Sequence, residues 1–244
     1  MNTGLWEPFR SVGTNFRNNV EIDSFNEFEY FLGLELRQES DYIGVPMQNA
    51  FSGSSLREIS MPPLPIFYNA STGVGSRSPF YNCTKLSKVY WGSCRPVYTY
   101  NLFEGCSALE YYDGILPAGL SIFDGGFTNC KSLTRMIFYE GIESFGGSCF
   151  QGCSSLRYIE YPATAKSISL YNHTRWAFSG GIHIVIKATT PPTCTTGGQN
   201  ASLFFYVPDE SVEAYKAAEG WSIYAHRIYP ISELPDEYRV MGTL

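Results

Sequence analysis

Seven cysteines give this chain its widest scope for chemistry, as metal ligands, redox pairs or nucleophiles. Four of them recur in one frame, Phe-x-x-Cys-x-x-Leu: Phe80, Cys83 and Leu86; Phe103, Cys106 and Leu109; Phe127, Cys130 and Leu133; Phe150, Cys153 and Leu156. Successive phenylalanines are 23, 24 and 23 residues apart. A repeat of that length puts equivalent residues in a column along a stack, whereas a zinc site needs four ligands converging on a point. The four thiols therefore read as a buried ladder of small apolar groups. Neighbours in such a column, and Cys149 with Cys153 across one bend, fall within reach of a disulfide. An odd total excludes complete internal pairing.

The other chemical groups are sparse. His173, His183 and His226 lie on separate segments, and only His173 falls near a plausible surface loop. No nucleophile-elbow, phosphate-loop or His-Glu-x-x-His string occurs, and the Gly pairs follow strands as corners. Asp113, Glu140, Glu143 and Glu160 could pair across turns, but a solvated face is the simpler reading. The Asn-x-Ser/Thr matches at Asn69, Asn82, Asn172 and Asn200 are of a kind that arises by chance. The residues point to no enzyme and imply no cofactor or metal.

The elements that carry these residues follow from the same period. After each Leu, apolar and polar residues alternate, as in Leu156-Arg157-Tyr158-Ile159-Glu160-Tyr161, the period of a half-buried strand. Inward sets are Leu56, Ile59 and Met61; Leu86, Val89 and Trp91; Leu133, Met136 and Phe138; Leu156, Ile159 and Tyr161. Stacked turns make a parallel sheet with strands about 4.8 Å apart. A second short apolar segment precedes the Phe of two turns, at Leu120–Phe123 and Ile142–Phe145, and the glycines after it permit a sharp corner. A damaged copy reads Phe51-Ser52-Gly53-Ser54-Ser55-Leu56, with the loop holding Pro62, Pro63 and Pro65 as an insertion, and Trp176–Gly180 reads as a decaying sixth start. Tyr112, Asp113 and Gly114 break the pattern in the third turn, so an even sheet is not expected there.

Composition agrees with a β-rich stack: 244 residues, 44% hydrophobic, only 16% charged, with 18 Tyr, 17 Phe and 23 Gly. A net charge of -6 argues against a nucleic-acid partner or an anionic membrane surface, both of which need clustered cations. No apolar run reaches the roughly 18 residues of a membrane-spanning helix, so no membrane insertion is expected. Met1 to Arg10 lack a basic start followed by an apolar core, so no secretory signal is read there.

The Phe-x-x-Cys-x-x-Leu frame, with its Gly-Ile-x-x-Phe-Gly segments, resembles the BspA-like leucine-rich-repeat family of bacterial surface proteins from Bacteroidetes. Ser24–Gly33 looks like the opening segment of such proteins, and Tyr206–Ala218 with Trp221–Ala225 like their ending. The resemblance implies a repeat solenoid, right-handed, displayed on the cell surface or secreted, which binds host or matrix protein or glycan and catalyses nothing.

An open stack needs covers at both ends. Three spans are expected: a capping segment over 1–41, repeats over 42–190, and a C-terminal cap and tail over 191–244. Asp23 or Ser24 would cap a helix presenting Phe25, Phe28, Phe31 and Leu32 on one side. Pro208 and Asp209 would open a second helix with Val212, Tyr215 and Ala218 inward, ended by Gly220 and followed by Trp221, Tyr224 and Ile228. Thr189–Gln199 reads as a loop, and Leu234–Leu244 is expected to fray.

The candidate binding residues are the outward strand positions. Glu58, Lys88, Tyr111, Arg135 and Tyr158 form one column, and Ser60, Tyr90, Asp113, Ile137 and Glu160 the next. Tyr and Arg are enriched at binding hot spots, and Tyr also stacks on sugar rings. Such residues also cover a sheet through cross-strand pairs without binding anything. The alternative to a binding module is a structural spacer or assembly component that makes its contacts through its ends.

Overall fold

The structure, a computed structural model, describes residues 16–30, 37–39, 42–64, 66–67, 78–94, 101–112, 121–122, 126–146, 149–170, 181–196 and 203–242. In chain order the strands are β1 (Ser24–Phe25), β2 (Arg37–Glu39), β3 (Tyr42–Pro46), β4 (Glu58–Ser60), β5 (Ile66–Phe67), β6 (Lys88–Tyr90), β7 (Ser121–Ile122) and β8 (Arg135–Ile137). They continue as β9 (Ser144–Phe145), β10 (Tyr158–Tyr161), β11 (Ser167–Ser169), β12 (Ile182–Ile186), β13 (Thr193–Thr195), β14 (Leu203–Val207) and β15 (Ile228–Pro230). Two short α-helices, α1 (Val212–Ala217) and α2 (Asp236–Gly242), lie near the C-terminus.

The expected strands form a repeat solenoid of parallel ladders. One ladder runs β1-β4-β6, and a second runs β8-β10-β12-β14-β15. Between them the third turn, Leu109 to Tyr112, forms no strand, as the broken pattern there predicts. Tyr112 occupies the inward position held by Val89 and Met136 in the flanking turns, and it wedges edge-on against Trp91, Phe103 and Phe127. A further ladder, β7-β9-β11-β13, carries the second apolar segment of each turn and aligns Ile122, Phe145, Ile168 and Cys194. The core fills the space between the ladders: every Phe, Cys and Leu of the four motif copies is buried, as are the inward sets.

Parallel pairing extends beyond 42–190 in both directions. At the C-terminal end β14 and β15 join the sheet, and β13 forms within the stretch expected to be a loop. At the N-terminal end β1 pairs with β4 as Phe25 with Ile59. The helix expected at Ser24 is instead this strand followed by a 3-10 turn, Asn26–Tyr30, in which Phe28 is buried; Phe31 and Leu32 lie outside the described residues. Phe16 belongs to a turn that sequence reading missed. Its ring stacks on Phe51 at 5.3 Å, and the series continues through Phe51–Phe80 at 5.9 Å, Phe80–Phe103 at 5.5 Å, Phe103–Phe127 at 5.5 Å and Phe127–Phe150 at 5.9 Å. In that first turn Asn19 stands where later turns have Cys, its Oδ1 accepting from Glu21 N–H at 2.9 Å and Ile22 N–H at 3.0 Å. The Trp176–Gly180 start lies outside the described residues.

In the six described turns that carry a stacked Phe, the bend rests on one left-handed residue, two positions after that Phe. These are Asn18, Gly53, Asn82, Gly105, Asn129 and Gly152, with φ between 55° and 81°. Only Gly and Asn enter this region readily, which explains the choice of types. Their order explains more. A Cβ on Gly53, Gly105 or Gly152 would overlap the Oδ1 of Asn18, Asn82 or Asn129 in the turn before. Each Asn therefore requires a Gly above it, and the two alternate up the stack.

After β14 the chain takes helical turns where a helix is expected. Asp209–Ser211 is a 3-10 turn leading into α1, Tyr215 is fully buried with its hydroxyl donating to Ala188 O at 2.8 Å, and Trp221 Nε1 donates to Pro192 O at 2.7 Å. The tail does not fray as expected. Ile231–Glu233 is a 3-10 turn, α2 follows, and Leu234 is buried. Among the described residues no helix is long and apolar enough to cross a membrane.

Candidate functional site

The thiol column is engaged in contacts between turns. Cys83, Cys106, Cys130 and Cys153 each aim a sulfur at the carbonyl of a Phe in the preceding turn: Phe51, Phe80, Phe103 and Phe127, at 3.0, 3.0, 3.2 and 3.0 Å. None of the seven cysteines is in a disulfide. Burial pushes the Cys83 thiol up to about 11 and that of Cys153 to about 12, and raises those of Cys106 and Cys130 well above the ordinary range. Such thiols are poor nucleophiles and poor ligands. Among the described residues no group of three His, Cys, Asp or Glu converges as a metal site would require.

The carboxylates also have structural partners. Glu140 accepts from the Ala163 and Thr164 backbone N–H groups at 3.0 and 3.2 Å, and Glu143 pairs with Lys166 at 2.8 Å. Each contact joins one turn to the next.

The outward columns are where the repeat leaves side chains to vary. Register pairs Glu58 with Lys88 and Ser60 with Tyr90 in the first ladder, and Arg135 with Tyr158 and Ile137 with Glu160 in the second. Tyr111 bridges the gap between ladders, because the Arg135 guanidinium lies over its ring at 5.4 Å. Tyr90 is 46% exposed, far more than the other aromatics of these columns, and with Ser87, Lys88, Val89 and Tyr111 it lines a shallow depression. Glu58 is held by Asn26 Nδ2 at 2.9 Å. Asp113 lies outside the described residues.

Tyr158 and Glu160 are not on an open face. They are 1% and 5% exposed, Tyr158 packed beneath the tail and Glu160 held beside it by Tyr158 and Lys187. Leu234, with Ile231 and Tyr238, packs on Tyr158, Val185 and Tyr206 to make a second apolar cluster on the outward side of the sheet. Tyr158 donates to Glu160 Oε2 at 2.6 Å, and Glu160 also pairs with Lys187. Burial first, and then the neighbouring Glu160 carboxylate, raise the Tyr158 hydroxyl. His183 and Tyr206, which continue the two columns, meet at 3.1 Å between Nδ1 and the hydroxyl. Burial pushes Tyr206 up to about 12 and lowers His183. The structure thus divides the candidate face: Lys88, Tyr90, Tyr111 and Arg135 lie along the uncovered part, Ile137 sits at its border, and Tyr158 lies beneath the tail with Glu160 beside it.

Sequence reading missed His183, Phe204, Tyr206 and Tyr229 as outward positions because the tail that covers them had no recognisable pattern. The alternation Ile182-His183-Ile184-Val185-Ile186 carries the signal for the first of these.

No curated protein matches this sequence significantly. The family described as the BspA type leucine rich repeat region matches in six copies, over residues 18–115 and 47–180, which together span more than half of the chain. Its repeats coincide with the stacked Phe rings and parallel ladders, and the chain belongs to the BspA type leucine-rich-repeat family.

Proposed function

We propose that the chain is a non-enzymatic binding module of a bacterial surface protein, contacting a host or matrix protein or glycan through the uncovered part of its outward ladder. We read the solenoid as right-handed and its ends as caps, in keeping with the family. The observation that carries this reading is the exposure of Tyr90 beside Lys88 and Tyr111, on a face where Tyr158 and Tyr206 are covered. An aromatic ring left in water next to a cation at a sheet edge is what a binding surface needs and what packing alone does not explain. Family membership favours interaction over catalysis.

The test is a glycan and matrix-protein array probed with the purified chain and with the Tyr90→Ser, Tyr111→Ser double variant. Retention on at least one array component, lost in the variant while circular dichroism stays unchanged, is the expected result. Retention that survives the double change would move the site elsewhere.

A further inference from the structure

The tail lies across part of the outward face. Residues 231–242 are not part of any repeat, yet they lie on the outward columns of β10, β12 and β14 and pack there through two residues four apart, Leu234 in the extended backbone before α2 and Tyr238 within α2. The Tyr238 ring stacks on His183 at 3.9 Å and on Tyr158 at 6.4 Å. The segment is acidic at Glu233, Asp236 and Glu237, and its one base, Arg239, turns back to donate to Leu234 O at 2.7 Å.

The same two columns continue past the edge of the tail. Arg135 is in register with Tyr158, so the covered and uncovered parts are one continuous surface rather than two sites. Going outward from that border, the column reads Arg135, Tyr111 and Lys88, with Tyr90 beside Lys88. Aromatic side chains recur in both parts, Tyr158, His183 and Tyr206 by the tail and Tyr111 and Tyr90 beyond it, while Lys88 and Arg135 bring cations to the uncovered part. Glu58, the acid of that column among the described residues, is engaged by Asn26.

We infer that the uncovered ladder at Lys88, Tyr90, Tyr111 and Arg135 binds a short acidic peptide segment bearing Leu and Tyr anchors four residues apart, in the way the covered ladder binds this chain's own 231–242. This rests on the reading of the outward ladder as the binding face, and narrows its partner to protein. Aromatic rows supply the contact area, and the two cations supply attraction and orientation to acidic flanks.

The probe is a fluorescein-labelled peptide of sequence 230–242, titrated into the full chain and followed by anisotropy. The expected result is saturable binding, weakened about tenfold or more by Tyr90→Ser with Tyr111→Ser, and weakened several-fold by raising salt from 0.05 to about 0.5 M. Lys88→Glu should weaken the native peptide and favour one carrying Asp236→Lys and Glu237→Lys. Because the variants change outward positions rather than the core, unchanged circular dichroism serves as the folding control. Absence of binding, or binding indifferent to the Tyr90 and Tyr111 changes because the peptide only exchanges with the chain's own tail, would overturn the inference. A glycan retained through Tyr90 and Tyr111 without peptide binding would overturn it too, while leaving the binding-face reading intact; loss of both would remove that reading as well.

Discussion

Tyr238 lies nearly flat on His183, with ring centroids 3.9 Å apart and planes 19° from parallel. This contact joins the last helix to the sheet, and it uses a residue that changes charge near neutral pH. On its other sides His183 faces Phe204 at 5.1 Å, the Tyr206 hydroxyl and Tyr158 from the neighbouring strands, with Glu237 as the acid on α2. Burial lowers its pKa below the ordinary 6.5, more than Glu237 raises it. A depressed imidazole pKa means the folded state binds fewer protons than the unfolded one. The associated stability is fully present above 6.5 and declines as pH falls from there through the lower folded value. Docking of residues 231–242 should therefore loosen on the acid side of 6.5. Hydrogen exchange of those amides, compared at pH 7.5 and pH 5, reads it directly, and His183→Phe should keep the stack while flattening the pH dependence. At neutral pH, Tyr238→Ser should cost about 1 kcal/mol of local stability, seen as roughly fivefold faster exchange confined to the tail.

The Asn and Gly alternation makes a separate prediction about the stack. Gly105 has φ of 81°, and a side chain there meets both a backbone penalty of about 1–2 kcal/mol and the Oδ1 of Asn82. Gly105→Ala should therefore cost about 3 kcal/mol in denaturant unfolding, well beyond the backbone penalty alone. Replacing Asn82 by Gly removes the obstacle while keeping a residue that accepts φ of 56°. In that background the cost of Gly105→Ala should fall to about 1–2 kcal/mol. Equal costs in both backgrounds would show that the Asn side chain does not dictate the Gly above it.

These positions also mark how far the fold could be read in advance. Phe-x-x-Cys-x-x-Leu was visible because its residues are of buried type and recur at a nearly constant period, so each copy supports the others. The first turn was hidden because Asn19 and Ile22 stand in place of Cys and Leu, and because the β2–β3 hairpin stretches Phe16 and Phe51 to 35 residues apart. The Asn–Gly alternation has a period of two turns, which a search for identical repeats passes over. Within the two ladders Glu58 with Lys88, Ser60 with Tyr90, Arg135 with Tyr158 and Ile137 with Glu160 fall in the register that alternation predicts, but alternation says only which side of a sheet a residue faces. Whether that side is wet depends on what the chain later lays across it, and α2 is too short for its apolar pattern to stand out before the surface beneath it exists. Tyr158 and Glu160 were misjudged as open for that reason.

The thiol ladder yields the last prediction. A thiol with a pKa of about 11, as at Cys83, is ionised in roughly one molecule in a thousand at pH 8, and one at about 12, as at Cys153 and Cys194, roughly ten times less. Since thiolate is the reactive species and the column is buried besides, Ellman's reagent at pH 8 should react with the column thiols only as fast as the native protein opens. After denaturation without reductant all seven thiols should titrate at once. A count below seven would mean that neighbours in the column have paired. Such a pair would exchange the sulfur contacts to the Phe carbonyls for a covalent link that closes a loop of one repeat and constrains the unfolded chain, so an oxidised sample should unfold at higher denaturant than a reduced one. A lower midpoint for the oxidised sample would show that the lost sulfur contacts and the strain of the link outweigh it.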